Sequence, residues 1–122
     1  MQEFFTRGIA NEGVKLPLSY PDGTLSEHWI IVRGIDSDEF RRVEALSKRK
    51  AVALSQITDE TERDQAISDI ETECVAALVA GWSMDDEYTH ENIIKLLTEA
   101  PQIANAINIF AARRKEFFTK KS

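Results

Sequence analysis

The stretch Gly34-Ile35-Asp36-Ser37-Asp38-Glu39 separates two kinds of sequence pattern. The chain up to residue 35 holds four of the five glycines and two of the three prolines, and its apolar runs are too short for helices. Beyond the stretch, apolar residues recur at helical spacing. Asp36 and Glu39 have the spacing of a capping box, and acids favour the positive end of a helix dipole. The stretch therefore predicts the start of a long helix over about 37–57.

The N-terminal region carries the signals of a β-hairpin. Residues 14–18 alternate apolar with other side chains, and residues 28–33 are rich in β-branched and aromatic types. Between them, residues 20–24 have Pro at the second position and Gly at the fourth position of a type I turn. Pro17 lacks an N–H donor, so its strand is expected at a sheet edge. We therefore expect extended chain and turns over 1–35, forming a hairpin or small sheet.

The sequence from residue 36 onward predicts about four helices. The first two are long, are joined by a tight connection at 58–60 and form an αα-hairpin, with Gly81 as the C-cap of the second. A third helix starts near Thr89, and a fourth begins at Pro101 and runs to about Phe118. Trp82 and Met84 are expected to close one end of the core. The apolar stripes of the four helices are Phe40, Val43, Leu46, Leu54 and Ile57; Ile67, Ile70, Cys74, Ala77 and Leu78; Ile93, Ile94 and Leu97; and Ile103, Ala106, Ile107, Phe110 and Phe117.

These patterns together predict the fold class. It is mainly α with a small N-terminal β-hairpin, that is, α+β, with about four helices. We expect a single domain over 1–122, in which 1–35 is the hairpin or extended region and 36–122 is the helical region. A chain of this size can fold without a disulfide or a structural metal.

The chain offers few groups for an active site. Its two histidines are His28 and His90, and its one cysteine, Cys74, lies on an apolar stripe and is predicted to be a small buried hydrophobe. Neither the ligand pairs of a zinc site nor a glycine-rich phosphate loop occurs in the sequence. The carboxylate cluster at residues 85–87 lacks the pattern of a calcium loop and is predicted to be a solvated loop. We therefore expect no catalytic residue, no cofactor and no metal.

Charge and hydropathy exclude two further classes of partner. The formal net charge of −6 argues against a nucleic-acid-binding protein, which usually carries a basic excess. The basic residues of the first helix are predicted to be solvated surface. No apolar run approaches the roughly 20 residues that span a bilayer, and the first residues lack a secretory signal. We therefore expect neither nucleic acid nor membrane as a partner.

The charge is unevenly distributed along the chain. Residues 1–57 carry eight basic and eight acidic side chains, residues 58–100 carry two and twelve, and residues 101–122 carry five and one. Two interpretations of the basic, aromatic end stay open. It either contacts an acidic face of another copy or a partner helix, or it complements the negative end of the last helix dipole. The candidate residues for partner binding or self-association are Phe110, Arg113, Arg114, Phe117 and Phe118, and the Phe117–Phe118 pair near the chain end is expected to be exposed.

Several short motifs occur in order along nearly the whole chain. In the first part they are residues 6–13 (TRGIANEG), Pro21-Asp22-Gly23, Trp29 and residues 32–37 (VRGIDS). In the second part they are residues 78–82 (LVAGW), Glu91-Asn92, Leu96-Leu97, Pro101-Gln102-Ile103 and a phenylalanine near the C-terminus. Their order and spacing resemble those of the tail assembly chaperones of long-tailed (siphovirus-type) double-stranded DNA bacteriophages.

This resemblance implies a function and a set of partners. Such a chaperone is not an enzyme, acts in the host cytoplasm during assembly and is absent from the mature virion. It binds the tape measure protein, keeps it soluble and helps recruit tail tube subunits. Many members also exist in a longer form made by programmed frameshifting, whose extension contacts the tail tube protein. Lys120-Lys121 is compatible with an A-rich slippery sequence.

The resemblance and the polarised charge further suggest that copies of the chain self-associate into a spiral or other oligomer around a rod-like partner. The alternative function is that of another small phage morphogenesis or adaptor protein that is retained in the particle. An enzyme and a transcriptional regulator are disfavoured, because the sequence lacks a set of reactive groups and a concentrated basic recognition face.

Overall fold

The computed structural model describes residues 1–118, and it confirms the predicted fold class, mainly α with a small antiparallel sheet. Short 3-10 turns lie at Gln2–Phe4 and Arg114–Phe117. The regular elements in chain order are α1 (Arg7–Glu12), β1 (Val14–Ser19), β2 (Leu25–Val32), α2 (Asp38–Leu54), α3 (Glu60–Ala76), β3 (Val79–Trp82), α4 (His90–Glu99) and α5 (Pro101–Ala111). The Lys120-Lys121 pair lies outside the described residues.

The predicted hairpin forms between β1 and β2. The Tyr20 carbonyl accepts a hydrogen bond from the Gly23 N–H at 2.9 Å, as the predicted type I turn requires. Gly23 has φ +92°, in the left-handed region that glycine adopts without strain. The strand order is β1-β2-β3, so the strand that contains Pro17 lies at an edge, as predicted.

The region before β1 contains a helix that was not predicted. Residues Arg7–Glu12 form α1, where extended chain and turns were expected. Because this helix is short, its own helix propensity contributes little, and packing stabilises it. Ala10 is fully buried, and its carbonyl accepts a hydrogen bond from the Gly34 N–H at 3.1 Å. The expectation of extended structure here is therefore wrong.

The third strand corrects the predicted end of the second long helix. Helix α3 ends at Ala76, and Gly81 lies inside β3 instead of capping a helix. Strand β3 pairs antiparallel with β2, placing Gly81 opposite Ile31. Apolar residues keep a helical spacing up to Leu78, which is why the sequence predicts a longer helix. Pairing of this segment with the buried central strand β2 outweighs that local preference. The expected helical region 36–122 therefore also supplies a strand.

Side-chain caps start the three helices α2, α3 and α4. Ser37 caps α2 by accepting from the Phe40 N–H, so the predicted cap at Asp36 is wrong by one residue. Asp59 caps α3. Thr89 caps α4, in agreement with the predicted start.

The core lies between the sheet and α4–α5, and the α2–α3 hairpin projects from it. The buried core cluster is Leu18, Ile30, Val32, Ala76, Leu78, Val79, Ile93, Leu97, Ile107 and Ala111. Trp82 and Met84 pack against this cluster, as expected. By contrast, residues 38–75 include no fully buried side chain, and Leu46 and Ile67 of the predicted stripes are exposed. The predicted αα-hairpin is present, and α3 also packs against α4 and α5. None of the described helices has both the length and the apolar character needed to span a membrane.

Candidate interaction surfaces

Cys74 and His90 make separate contacts. The Cys74 Sγ lies 3.1 Å from the Ser47 Oγ, and the His90 Nε2 lies 2.8 Å from a Glu73 carboxylate oxygen. Within residues 1–118, Cys74 has no hydrogen bond to a histidine, and no cluster of His, Cys, Asp and Glu could hold a metal ion. Cys74, predicted to be a small buried hydrophobe, is half-buried.

The carboxylate cluster at residues 85–87 forms the predicted solvated loop. All three side chains are exposed. The loop backbone is held from both sides, because the Trp82 indole N–H donates to the Asp86 carbonyl and the Asn92 amide donates to the Glu87 carbonyl, each at 2.8 Å. The loop therefore serves to connect β3 with α4.

The C-terminal phenylalanines occupy different environments. Helix α5 ends at Ala111, so the predicted helix to Phe118 is too long. Phe117 lies in the following 3-10 turn and is only 1% exposed, and its ring packs edge-on against Phe110 with centroids 5.7 Å apart. Phe118 is 41% exposed. Phe118 is therefore exposed, as expected. Phe117 is buried, so the expectation that it is exposed is wrong. Its predicted place among the inward-facing residues of the last helix stripe is confirmed.

Gly34 packs directly against the Phe117 ring. A Cβ atom at Gly34 would lie 2.9 Å from the Ala10 Cβ and 3.1 Å from the Phe117 Cγ. The neighbouring Ile35 N–H donates to the Ala111 carbonyl at 3.1 Å. The stretch between the sheet and α2 thus contacts both α1 and the C-terminal turn, and only a glycine leaves room for this contact.

Asp36 binds the C-terminal turn through Arg114. The Arg114 Nε and Nη2 donate to its two carboxylate oxygens at 2.9 and 3.1 Å, and the Thr6 hydroxyl donates at 2.8 Å. The Arg114 guanidinium, assisted by Thr6, lowers the pKa of Asp36 below its ordinary value. Arg113 and Arg114 are both exposed, and of the two Arg114 is engaged within the described part of the chain.

Asp38 makes the equivalent connection to α1. The Arg7 guanidinium donates two hydrogen bonds to its carboxylate at 2.7 and 2.8 Å, and this lowers the pKa of Asp38. The Asn11 side chain donates to the same carboxylate and accepts from the Asp38 N–H. Sequence reasoning assigned Asp36 and Asp38 only to the helix start and missed both long-range connections.

A concave surface, here called the α3–α5 groove, lies between α3 and the α4–α5 pair. Its volume is about 730 Å³. Its floor contains half-buried apolar side chains, and its rim contains acids and amides. The lining residues are Phe40, Gln65, Ser68, Asp69, Ile70, Glu71, Thr72, Cys74, Val75, Leu97, Thr98, Pro101, Ala104, Asn105 and Asn108.

The side of α2 that faces away from α3 is basic, and we call it the α2 outer side. It comprises Arg41, Ala45, Lys48, Arg49 and Val52, all of which are exposed and which recur at helical spacing. Val52 is 73% exposed. The sequence predicted a solvated surface for the basic residues of this helix, and all five are exposed. Their spacing places several of them together.

The fold and these surfaces define a small, mainly α protein with a three-stranded antiparallel sheet, a projecting helical hairpin and an apolar groove with an acidic rim. The family model of the phage tail assembly chaperones matches residues 13–121 of the 122, and the chain belongs to this family. The resemblance in the sequence is thereby confirmed, although residues 6–12 precede the matched region. Neither the curated proteins nor the solved structures gave a significant match.

Family membership sets the general role of the chain. It is a phage tail assembly chaperone, which implies interaction with phage tail proteins and indicates a non-enzymatic role.

Proposed function

We propose that this chain binds the tape measure protein, keeps it soluble and promotes assembly of the tail tube around it. It does so in the host cytoplasm as a single domain and is absent from the mature virion. The observation that carries the proposal is the family match over residues 13–121. Detection of the chain in purified virions would instead favour a small adaptor protein that is retained in the particle.

The α3–α5 groove supports a physical mechanism for this function. A long helical protein with an apolar stripe aggregates unless the stripe is covered, and an amphipathic helix can be covered by an apolar groove. The groove has an apolar floor that includes Ile70 and Ala104 and a rim that includes Asp69 and Glu71. Many copies, each covering one segment, would keep a long partner soluble.

Two of the five C-terminal candidate residues remain proposed partner contacts. Phe117 and Phe110 pack against each other, and Arg114 is bound to Asp36. Arg113 and Phe118 are exposed and are the members of the set that we propose contact a partner. A longer, frameshifted form that contacts the tail tube protein is a further proposal. Reading the nucleotide sequence around Lys120-Lys121 tests it, because the absence of a slippery heptamer or of an overlapping frame would exclude it.

Co-expression with the tape measure gene of the same phage tests the central proposal. We expect the tape measure protein to move from the insoluble to the soluble fraction and to copurify with this chain. The Phe118→Ala, Arg113→Ala double variant should copurify less tape measure protein, while Lys95→Ala, on exposed α4 surface, should match the parent. A tape measure protein that stays insoluble with the parent chain would contradict the proposal.

A further inference from the structure

Two aromatic side chains are exposed just before α1. Phe4 ends the first 3-10 turn and Phe5 follows it, and they are 78% and 57% exposed. Their backbone N–H groups donate to the Met1 and Gln2 carbonyls at 3.1 and 3.0 Å, so hydrogen bonds hold both residues in the turn. Large apolar side chains exposed side by side mark an interaction site, and a turn that is already formed loses little conformational freedom on binding. The turn therefore offers a preformed apolar contact to a partner.

Phe5 also lines a pocket between the starts of α1 and α2, here called the Phe5–Arg41 pocket. Its lining residues are Phe5, Thr6, Arg7, Gly8, Asp36 and Arg41, and its volume is about 480 Å³. This volume falls within the range of about 300–1,000 Å³ that is usual for ligand sites. The pocket therefore has room for side chains of a partner.

The lining of this pocket carries a positive charge that is not neutralised within the described residues. Asp36 is bound by Arg114, and Arg7 is bound by Asp38. The exposed Arg41 side chain makes no hydrogen bond or salt bridge with residues 1–118. A guanidinium binds a carboxylate through charge-assisted hydrogen bonds, and the ring of Phe5 favours an apolar neighbour. The surface is therefore complementary to a segment that carries both acidic and apolar side chains.

Gly8 leaves the pocket open. It does not have a positive φ, and a Cβ atom there would meet no described atom within 4 Å. Neither the backbone conformation nor the packing therefore requires glycine at this position, and alanine is the better helix former. Because Gly8 lines the pocket, a long side chain there would compete with a bound segment for the same space.

We propose that the Phe5–Arg41 pocket binds an acidic segment of a phage tail protein. An apolar side chain of the segment packs against Phe4 and Phe5, and a neighbouring carboxylate accepts hydrogen bonds from the Arg41 guanidinium. Gly8 provides the space that the segment occupies. The inference uses the family role of interaction with phage tail proteins, and it does not depend on solubilisation of the tape measure protein.

This contact involves few side chains, so it lies at the small end of interface sizes and binding is weak. Part of the attraction comes from exposed charges, and added salt reduces it by screening. The contact also uses a different part of the molecule from the α3–α5 groove, because none of the residues that line the pocket lines the groove. Substitutions in the pocket therefore test it separately from the groove.

Binding of synthetic peptides to the full chain tests the inference. The probes are overlapping fluorescent peptides that span the tape measure protein and the tail tube protein of the same phage, and fluorescence anisotropy measures their affinity. The test variants are Gly8→Gln and Arg41→Gln. Glu12→Gln, on exposed α1 surface outside the pocket, and Lys95→Gln, on exposed α4 surface, are the matched controls. Circular dichroism checks that each variant keeps the helix content of the parent.

We expect the parent to bind peptides that are rich in both acidic and apolar residues, and to bind them more weakly as salt is added. Arg41→Gln should weaken binding about tenfold, as is typical for loss of a hydrogen bond to a charged group. Gly8→Gln should weaken it at least as much by filling the pocket, while the two controls match the parent. A bound peptide whose acidic residues are replaced by their amides should bind the parent and Arg41→Gln equally.

The inference is overturned if no peptide binds the parent, if the bound peptides lack acidic residues, or if both test variants bind them as tightly as the parent. A parent that binds no peptide but sediments with vesicles of anionic lipid, and loses this in Phe4→Ser, Phe5→Ser, would assign the aromatic turn to a lipid surface instead. Co-expression separates these results from the proposed function. A tape measure protein that stays insoluble while the acidic peptides bind would reject the proposed function and keep the pocket, and the reverse result would reject the pocket alone.

Discussion

Arg114 binds Asp36 through two hydrogen bonds, although the two residues are 78 positions apart in the sequence. The pair joins the C-terminal turn to the segment that starts the projecting hairpin. Thr6 donates to the same carboxylate, so both ends of the described chain meet at Asp36. Asp36 therefore holds the two terminal segments together, and changing it should change the stability of the fold.

The Asp36 carboxylate should make stability pH-dependent. Because Arg114 lowers the folded-state pKa of Asp36, its contribution is fully present above the unfolded-state value of about pH 4. It is lost as the pH falls through the lower, folded-state value. We expect Asp36→Asn to be less stable than the parent at pH 7 and to lose less stability between pH 5 and strongly acidic conditions. Urea unfolding at a series of pH values measures both effects.

A matched carboxylate provides the control for this experiment. Asp64 is exposed, and its carboxylate makes no hydrogen bond or ion pair with the described residues. Asp64→Asn should therefore keep the stability and the pH profile of the parent. The Asp36 prediction fails if Asp36→Asn and Asp64→Asn have the same profile.

Phe117 and Phe118 should differ sharply in their effect on folding. Removing the buried Phe117 ring deletes its contact with Phe110 and leaves a cavity, so we expect Phe117→Ala to lower the free energy of unfolding by about 3–5 kcal/mol. Phe118→Ala, at an exposed position, should change it by less than about 0.5 kcal/mol. Urea unfolding distinguishes the two. Equal effects would show that Phe117 does not pack as described.

A methyl group at Gly34 should be poorly tolerated. It would approach the Ala10 Cβ to 2.9 Å and the Phe117 ring to 3.1 Å, so Gly34→Ala forces α1 or the C-terminal turn to move. We expect Gly34→Ala to lower the free energy of unfolding by about 1–3 kcal/mol, as is typical of overpacked cores.

Gly81→Ala is the natural comparison for Gly34→Ala. A Cβ there meets its nearest neighbour, on Ile31, at an ordinary 3.8 Å, and Gly81 does not have a positive φ. The variant should therefore be close to the parent in thermal unfolding. A large loss at Gly81 would favour the helix-cap role that the sequence suggested over its place in β3.

Local patterns were sufficient to predict the elements whose signals lie within a few residues. The turn at Tyr20–Gly23, the edge position of Pro17 and the cap at Thr89 follow from backbone chemistry at those positions. The end of α3 was wrong because Leu78 continues the helical spacing. What makes Val79–Trp82 a strand is pairing with β2, about 50 residues earlier, and periodicity carries no signal of it.

The candidate surface was predicted only in part, for the same reason. Net charge and aromatic content identified the basic C-terminal end, but they cannot show that Arg114 faces Asp36 or that Gly34 leaves room for Phe117. The α3–α5 groove depends on where α5 lies relative to α3, which is a property of the packing. The residue types that bind partners could therefore be predicted from the sequence more readily than the surface on which they lie.

The projecting hairpin should open locally more easily than the rest of the molecule. Residues 38–75 contain no fully buried side chain, whereas α4 and α5 bury Ile93, Leu97 and Ile107. Amide hydrogen exchange in dilute protein should therefore be less protected in the middle of α2 and α3 than in α4. Ala53→Gly lowers helix stability at an exposed position by about 1 kcal/mol, so it should speed exchange in the hairpin about fivefold and leave α4 unchanged. If the hairpin amides are protected as strongly as those of α4, and Ala53→Gly speeds exchange everywhere, the hairpin unfolds only with the core.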